Sequence, residues 1–334
     1  MVNIQKLGVL LAVLLLLYGC GPSDPGSSQA NSASLSSSSA TQDPFVLDEG
    51  ESMQYQYGFG IKTPDVLTMD FTGEPLELSY YIENSNGADM QIGLMITVNG
   101  FFQPYRLGND PQEACIHTVH IPAGSETVVP VAFTPVCGTA GDTLTVRYMC
   151  MLNPDVRPDH SPFVFGNNHH ILQIYPRSIR MEKEAPVQQA PPIIEATPQA
   201  MSEDQVSKYM TNSRGELQEQ TALKIEIDNQ QNDNLNGLSV NNQRIHFRLL
   251  AYGGLSGTYA VTLFINHVPV GSPMGFEIKN GHFLTEKDCE IDLTVLDVDT
   301  YHLAQYNTLY AIAVPLSDSS DYFVEKSFSF VFAF

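Results

Sequence analysis

Apolar side chains occupy every second position in a series of short segments along this chain. Tyr55, Tyr57, Phe59 and Ile61 alternate with polar residues or glycine. The same alternation recurs at residues 76–82, 92–98, 129–133, 144–150, 223–227, 245–251, 259–265, 291–295 and 309–313. Successive side chains of a strand point to opposite faces, so period two predicts half-buried antiparallel strands. Short strands separated by turn residues predict a sandwich or a barrel.

One turn can be predicted from two residues. Asn99-Gly100 directly follows the alternating run at 92–98. Both residue types tolerate the positive φ angles that a two-residue type I′ turn requires. We therefore expect a tight hairpin at this point.

The alternation breaks at residues 179–200, a stretch with four prolines, which favour extended backbone. We interpret it as a semi-rigid linker between two sheet domains, 46–178 and 201–334. Ser202, with Gln205 three residues later, predicts a capping box at the start of one short helix in the second domain.

The two sheet halves resemble each other. Three pairs of segments carry the likeness: 93–105 with 260–273, 141–154 with 306–318, and the aromatic final segments 163–175 with 322–334. In the last segment Phe328, Phe330, Phe332 and Phe334 alternate, so we expect them to face a core. By pattern both halves resemble immunoglobulin-like domains, although the Cys–Trp–Cys hallmark of antibody domains is absent because the chain has no Trp. The predicted fold class is all-β, with two antiparallel immunoglobulin-like β-sandwich domains.

The start of the chain has the pattern of an export signal. Lys6 precedes an uncharged apolar run at residues 7–17. A membrane-spanning helix needs about 20 apolar residues, so the shorter run favours a cleaved signal peptide, residues 1–19, over a transmembrane anchor.

The end of that run, Leu17-Tyr18-Gly19-Cys20, resembles the lipobox of bacterial lipoproteins, with a bulkier residue than usual at Tyr18. The resemblance implies cleavage before Cys20, diacylglycerol on its sulfur, and acylation of the new amino group by a fatty acid such as palmitate. Two or three acyl chains hold a protein stably at a membrane. The alternative is an ordinary signal peptide that ends near a cysteine. The Ser-rich residues 20–45 would then be a flexible tether, and the protein would be lipid-anchored on the extracytoplasmic side of the cell membrane or outer membrane.

The charge of the chain narrows the range of partners. Acidic residues number 37 and basic residues 16, for a formal net charge of -21. This excludes a nucleic-acid binder that works through a basic surface. An acidic protein is also repelled by anionic lipid, so a covalent anchor would be the natural way to stay at a membrane.

Four cysteines remain after Cys20: Cys115, Cys137, Cys150 and Cys289. Four cysteines allow three disulfide connectivities, which the sequence leaves open. An exported protein permits disulfides, and we favour a Cys115–Cys137 bridge. Cys150 is in phase with the apolar side chains of its strand, so we expect it to be buried.

The sequence gives no strong metal or cofactor site, and we predict neither. His117 and His120 are three apart in a predicted strand, so they point to opposite faces. The stretch 232–243 has the spacing of a calcium loop, but amides replace the carboxylates that calcium prefers. Five acidic residues between 288 and 299 fit a solvated outer face.

Catalytic motifs are also absent: there is no Gly-x-Ser-x-Gly elbow, phosphate loop or dinucleotide fingerprint. We therefore expect a non-catalytic binding or assembly module with a protein or envelope-polymer partner. Loops 107–113 and 153–168, at the ends of the first sandwich, are the expected recognition elements. Two alternatives stay open. One is an envelope hydrolase or enzyme subunit with a carboxylate or His site between the domains. The other is a carrier with an apolar cavity of about 300 Å3 or more.

Overall fold

A computed structural model describes residues 57–157, 169–211, 217, 220–227, 237–238, 240 and 243–333. Regular structure in these residues is almost entirely β-strand. In the part of the chain described, no helix combines the length and the apolar character needed to cross a membrane.

The first half contributes the strands β1 (Tyr57–Thr63), β2 (Thr68–Phe71), β3 (Leu76–Asn84), β4 (Met90–Val98), β5 (Phe101–Phe102), β6 (Tyr105–Leu107), β7 (Glu113–Ala114), β8 (Ile116–Ile121), β9 (Ser125–Phe133), β10 (Thr143–Leu152), β11 (Ile171–Gln173) and β12 (Arg177–Met181). They form two sheets, ordered β1-β3-β9-β6-β7 and β2-β12-β10-β4-β5, with β11 also paired to β10 and β8 to β4. The strands β1-β3-β9-β6 correspond to the A-B-E-D sheet of an immunoglobulin-like sandwich, and β4-β10-β12 to its C-F-G sheet.

The second half contributes the strands β13 (Ile194–Ala196), β14 (Gln199–Ala200), β15 (Ala222–Glu226), β16 (Gly237–Leu238), β17 (Arg244–Tyr252), β18 (Gly257–Ile265), β19 (Val268–Ile278), β20 (Phe283–Asp292), β21 (Tyr306–Pro315), β22 (Glu325–Lys326) and β23 (Phe330–Ala333). Helix α1 (Glu203–Gln205) precedes a π-helical turn, Val206–Met210. The sheets are ordered β13-β19-β18-β21-β23-β16, with β22 also paired to β21, and β14-β20-β17-β15.

The two halves share one topology. The order β1-β3-β9 matches β15-β17-β20, and β4-β10-β12-β2 matches β18-β21-β23-β16. In both halves the last two strands of the second order, β12 with β2 and β23 with β16, pair in parallel, whereas the strands before them pair antiparallel. Two of the three aligned segment pairs fall on equivalent strands, β4 with β18 and β10 with β21, so the shared fold of the two halves is confirmed. The third pair, 163–175 with 322–334, is not aligned correctly, because the strand equivalent to β23 is β12, which begins after residue 175.

Alternation places one face of each outer strand in a core. In β3 the buried side chains include Leu76, Leu78, Tyr80 and Ile82, whereas the residues between them are partly or fully exposed. Tyr80 meets Tyr148 of the opposite sheet edge to face, with ring centroids 5.6 Å apart. Each sandwich has its own core of this kind.

Both local predictions of chain geometry are confirmed. Asn99 and Gly100 have φ angles of 47° and 84°, and they join β4 to β5. The hydroxyl of Ser202 accepts from the Gln205 amide over 3.2 Å, and the Gln205 side chain accepts from the Ser202 amide over 2.9 Å. The capping box therefore begins α1 as expected.

The proline-rich residues 179–200 are held along the sandwiches by backbone hydrogen bonds. The Ala185 amide donates to the carbonyl of Gly138 over 3.0 Å, and the Gln189 amide donates to that of Val136 over 2.8 Å. This range also holds the end of β12, together with β13 and β14. Both sandwiches belong to one compact unit, Gln54–Phe334.

Two expected strand faces differ from the structure. The run at 291–295 leaves the sheet because the Asp292 carboxylate accepts from the Thr294 amide over 2.9 Å and begins a 3-10 turn, Leu293–Val295. Phe328 is 53 % exposed, although it is in phase with the buried Phe332. Strand structure stops between β22 and β23, so the alternation does not continue through Phe328. Phe334 lies outside the described residues.

Candidate functional site

The central strands of both sandwiches are buried on two faces, not one. Strands β4, β10, β18 and β21 have few exposed residues along their length. Their inner faces line the two cores, and their outer faces meet each other. We call this contact between the two sandwiches the seam.

Apolar and aromatic side chains fill the middle of the seam. The buried members are Met95, Phe102, Met149, Met151, Phe264, Tyr310, Ile312 and Val314. Phe102 of the first sandwich packs edge to face on Phe264 of the second, with centroids 4.7 Å apart. Phe264 stacks on Tyr310 at 5.2 Å. An interior of this composition resembles a core more than a transient contact.

A buried arginine crosses one end of the seam. Arg147, on β10, is 1 % exposed. Its Nη2 donates to the carbonyl of Ser317 over 2.7 Å, and its Nη1 donates to that of Tyr322 over 3.1 Å. Burial lowers the pKa of the guanidinium. Backbone carbonyls of the second sandwich thus compensate for the burial of a charge carried by the first.

At the other end of the seam, each sandwich contributes one histidine that contacts the other sandwich. His169, of the first sandwich, lies with Nδ1 3.2 Å from the Ser329 hydroxyl of the second. His267, of the second sandwich, donates from Nε2 to the carbonyl of Pro154 of the first over 2.7 Å. The rings meet edge to face at 4.6 Å. Burial lowers the pKa of His267 to about 4 and that of His169 well below its usual value, so both are neutral near pH 7.

Lys326 completes this cluster. Its amino group donates to the Ser329 hydroxyl over 3.0 Å and lies 4.4 Å from the centre of the Tyr310 ring. Burial lowers the pKa of Lys326 to about 7. Hydroxyl, imidazole and amine are thus in contact, as in some hydrolases. However, Ser329 is 0 % exposed, so no substrate carbonyl can reach its oxygen.

An open groove of about 620 Å3 lies beside the histidines, between the two sandwiches. Residues 112–116, 154, 155 and 157 form its wall on the first sandwich. Residues 266–269, 299, 300 and 302 form the wall on the second. This is the groove referred to below.

The groove loops are bent by residues in the left-handed region. Asn153, Asn266, His267 and His302 have φ angles of 52°, 46°, 72° and 48°. The side-chain amide of Asn266 donates to the backbone carbonyls of Tyr301 and His302 over 3.0 and 3.1 Å, and these bonds join two loops. Such backbone conformations persist only where the surroundings hold them in place.

A smaller pocket of about 360 Å3 lies on the second sandwich near Tyr259 and Tyr322. Glu325 lines it, and burial raises the pKa of that carboxyl to about 7. Its lining mixes apolar side chains, such as Leu255 and Phe323, with the carboxyls of Asp321 and Glu325, so it is not the wholly apolar cavity expected of a small-ligand carrier.

The cysteines are distributed differently from the prediction. Cys20 lies outside the described residues. Cys115 and Cys137 are free thiols, because Cys115 packs at the seam whereas Cys137 lies in the first core. The favoured bridge is therefore not formed. Cys150 is buried as expected. Burial raises the pKa of Cys115 to about 12 and that of Cys137 to about 11, so neither is a reactive thiolate near pH 7.

The predicted histidine geometry is borne out on β8. His117 donates from Nε2 to the carbonyl of Tyr105 over 2.7 Å, and His120 lies 3.3 Å from Asp89. The two rings therefore serve separate partners. Within the described residues no group of three His, Cys, Asp or Glu side chains could hold a metal ion.

The acidic residues on β20 form ion pairs. Arg244 contacts Glu290 at 2.7 Å and Asp292 at 3.3 Å. Residues 228–236, which include most of the calcium-like spacing, lie outside the described residues, as does most of the expected recognition loop 153–168. The other expected loop, 107–113, borders the groove through Gln112 and Glu113.

Sequence reasoning missed the seam, although the sequence carried a signal. The outward positions of the central strands are apolar too, as in Met95, Met149, Met151, Phe264 and Ile312. Strands buried on both faces read as nearly continuous apolar runs. Residues 148–152 and 309–315 have this form.

Comparison with known proteins gives matches of fold only. No family model matches the chain, and no curated protein matches it. Among solved structures, it is similar to the CsuC–CsuE chaperone–tip adhesion subunit pre-assembly complex of Acinetobacter baumannii Csu pili, at 10 % identity over 81 % of this chain and 98 % of that one, with a TM-score of 0.21. The E. coli chaperone DraB matches at 8 % identity over 83 % of this chain and 95 % of that one, with a TM-score of 0.23. At these scores neither match carries an argument about function.

Proposed function

We propose that this protein is a non-catalytic binding or assembly module, held on the extracytoplasmic side of a membrane by a lipid anchor at Cys20. The observation that carries the binding role is the groove, whose two walls come from different sandwiches. A fixed seam presets the distance between the walls, and a pre-formed site binds with a smaller ordering cost.

The arrangement of ionisable groups favours binding over catalysis. Both ring nitrogens of His267, the half-buried histidine of the groove, are engaged by Tyr310 and Pro154. The Ser329 hydroxyl is sealed inside the seam. An acid or base needs access to a substrate proton, so these groups are better suited to holding the sandwiches together.

The anchor is supported by the lipobox-like residues Leu17-Tyr18-Gly19-Cys20 and by the Ser-rich stretch that follows them. An acyl anchor on a flexible tether would carry the groove at a distance from the lipid. The protein partner would then reach the groove from the aqueous phase.

Site-specific photo-crosslinking in the host cell tests the binding role. A photoreactive amino acid replaces the exposed groove residue Gln112 and, in a matched control, the exposed Glu77 on β3 of the first sandwich. We expect a discrete crosslinked species from position 112 that position 77 does not give. The same products from both positions, or none from position 112, would contradict a binding role for the groove.

A further inference from the structure

The groove has an apolar floor. Pro104, Ala114, Ile116, Pro154, Val268 and Pro269 line it. Its volume, about 620 Å3, is within the usual range of ligand sites, and it is partly open to solvent. A partly open groove with an apolar floor suits a ligand that rests apolar side chains on the floor.

One wall of the groove is a sheet edge. Strand β7, Glu113–Ala114, is the last strand of its sheet, beyond β6. On its other side, no described strand pairs with it, and both of its residues line the groove. An extended peptide can add to such an edge through main-chain hydrogen bonds.

The rim of the groove is acidic. Glu113 and Asp155 on one side and Asp299 on the other lie in the lining, against one guanidinium, that of Arg157. All four side chains belong to exposed residues. The excess of carboxylates favours a ligand with positive charge, and carboxylates on both walls favour one with a cationic residue towards each side.

The lining also disfavours a sugar ligand. No Phe or Tyr side chain lines the groove in the described part of the chain, and the sequence has no Trp. Sugar rings and nucleobases are usually held against aromatic faces. An aliphatic floor with a free strand edge matches a polypeptide better.

We propose that the groove binds an extended, cationic peptide segment of a protein partner, added as a strand beside β7 with apolar side chains on the groove floor and lysine or arginine against Glu113 and Asp299. This inference rests on the binding role proposed above and names the ligand class of the same site.

Binding of defined peptides to the full chain, purified in mild detergent, tests the inference. The probe is a capped, fluorescently labelled peptide of alternating valine and threonine with a lysine at each end. The comparison peptide carries glutamate at each end. We expect the lysine peptide to bind at least tenfold more tightly and to weaken as salt is raised. Equal affinities, or no binding of the lysine peptide at millimolar concentration, would overturn the ligand class.

Two substitutions in the groove and two control substitutions elsewhere test where the lysine peptide binds. We expect Glu113→Gln and Asp299→Asn each to weaken the lysine peptide about two- to fivefold, as for exposed ion pairs. The matched controls are Glu77→Gln and Asp288→Asn, exposed acids on β3 and β20 away from the groove lining. An unchanged affinity in both groove variants would refute the site.

A backbone-methylated version of the lysine peptide tests strand addition, because N-methyl groups remove its main-chain donors. We expect it to bind at least tenfold more weakly, and equal binding would refute the strand geometry. Failure of this inference and failure of the proposed function are distinguishable. A specific crosslink from position 112 with no preference for cationic peptides would leave the binding role standing and reject the ligand class.

Discussion

The Nη2 group of Arg147 donates to the backbone carbonyl of Ser317 over 2.7 Å, and this bond joins β10 of the first sandwich to the second. Arg147 is the largest fully buried side chain in the described residues. Its removal would leave buried carbonyls without a donor and a void at the seam. The seam therefore depends on a polar contact as well as on its apolar middle.

Arg147→Ala should lower the free energy of unfolding by about 3 kcal/mol, because it combines a cavity with unsatisfied acceptors. Chemical denaturation followed by tyrosine fluorescence measures this change. The matched control is Arg180→Ala, which removes the exposed ion pair between Arg180 and Asp70 and should cost no more than about 1 kcal/mol. Equal losses in both variants would mean that Arg147 does not hold the seam.

Gly100 is required at the seam for two reasons. Its φ angle is +84°, and an added Cβ would lie 2.5 Å from Cδ2 of Leu316 and 2.8 Å from Cβ of Ala260. Gly108 also has a positive φ, +59°, but a Cβ there would meet nothing within 4 Å. We expect Gly100→Ala to be more destabilising than Gly108→Ala by about 1–3 kcal/mol, the usual cost of overpacking. Thermal unfolding of the two variants gives the comparison, and similar losses would contradict a tight contact there.

The seam should weaken in acid because of its histidines. The pKa of His267 falls from 6.5 to about 4 on folding, so the unfolded chain binds more protons between these values. Stability therefore declines as the pH falls from about 6.5 to about 4, by about 3 kcal/mol for His267 alone. Besides burial, the nearby cations Arg157 and Lys326 disfavour a charge on this ring.

The histidine contribution can be isolated by difference. Glu325, whose pKa is raised to about 7, has the opposite effect on stability. The folded protein loses its contribution to stability as the pH rises from 4.5 to 7. Lys326, with a pKa lowered to about 7, changes charge above the pH range in which His267 titrates. We expect His267→Gln to have a shallower stability profile between pH 6.5 and 4 than the unaltered protein. Parallel stability profiles of the two proteins would show that His267 does not titrate as its burial at the seam predicts.

The anchor is tested by Cys20→Ser. We expect this variant to leave the membrane pellet in detergent-free fractionation, because loss of the acyl chains removes about 0.8 kcal/mol per buried CH2. Cys115→Ser, which changes a free thiol in the folded part, should remain in the pellet. Retention of the Cys20→Ser variant in the membrane would rule out lipid anchoring as the cause of its location.

Much of the fold follows from the sequence because sheet geometry is local. The period of two requires one side chain in each pair to face inward, as Leu78 and Tyr80 do. Asn99-Gly100 requires a tight turn because few other residue pairs adopt its φ angles. The Ser202–Gln205 box depends on residues three apart in the chain. Each of these features is decided within one strand or one turn.

The seam and the groove were decided by tertiary structure, because they join residues far apart in the chain. His169 meets Ser329, and Arg147 meets Ser317, only after two separate sandwiches have formed and docked. The alternating pattern predicts that one face of a sheet is buried. It does not predict that a second sandwich covers the other face. The sequence determined the strands, their turns and the repeat. Docking of the two halves, driven by burial of their apolar outer faces, determined where a ligand could bind.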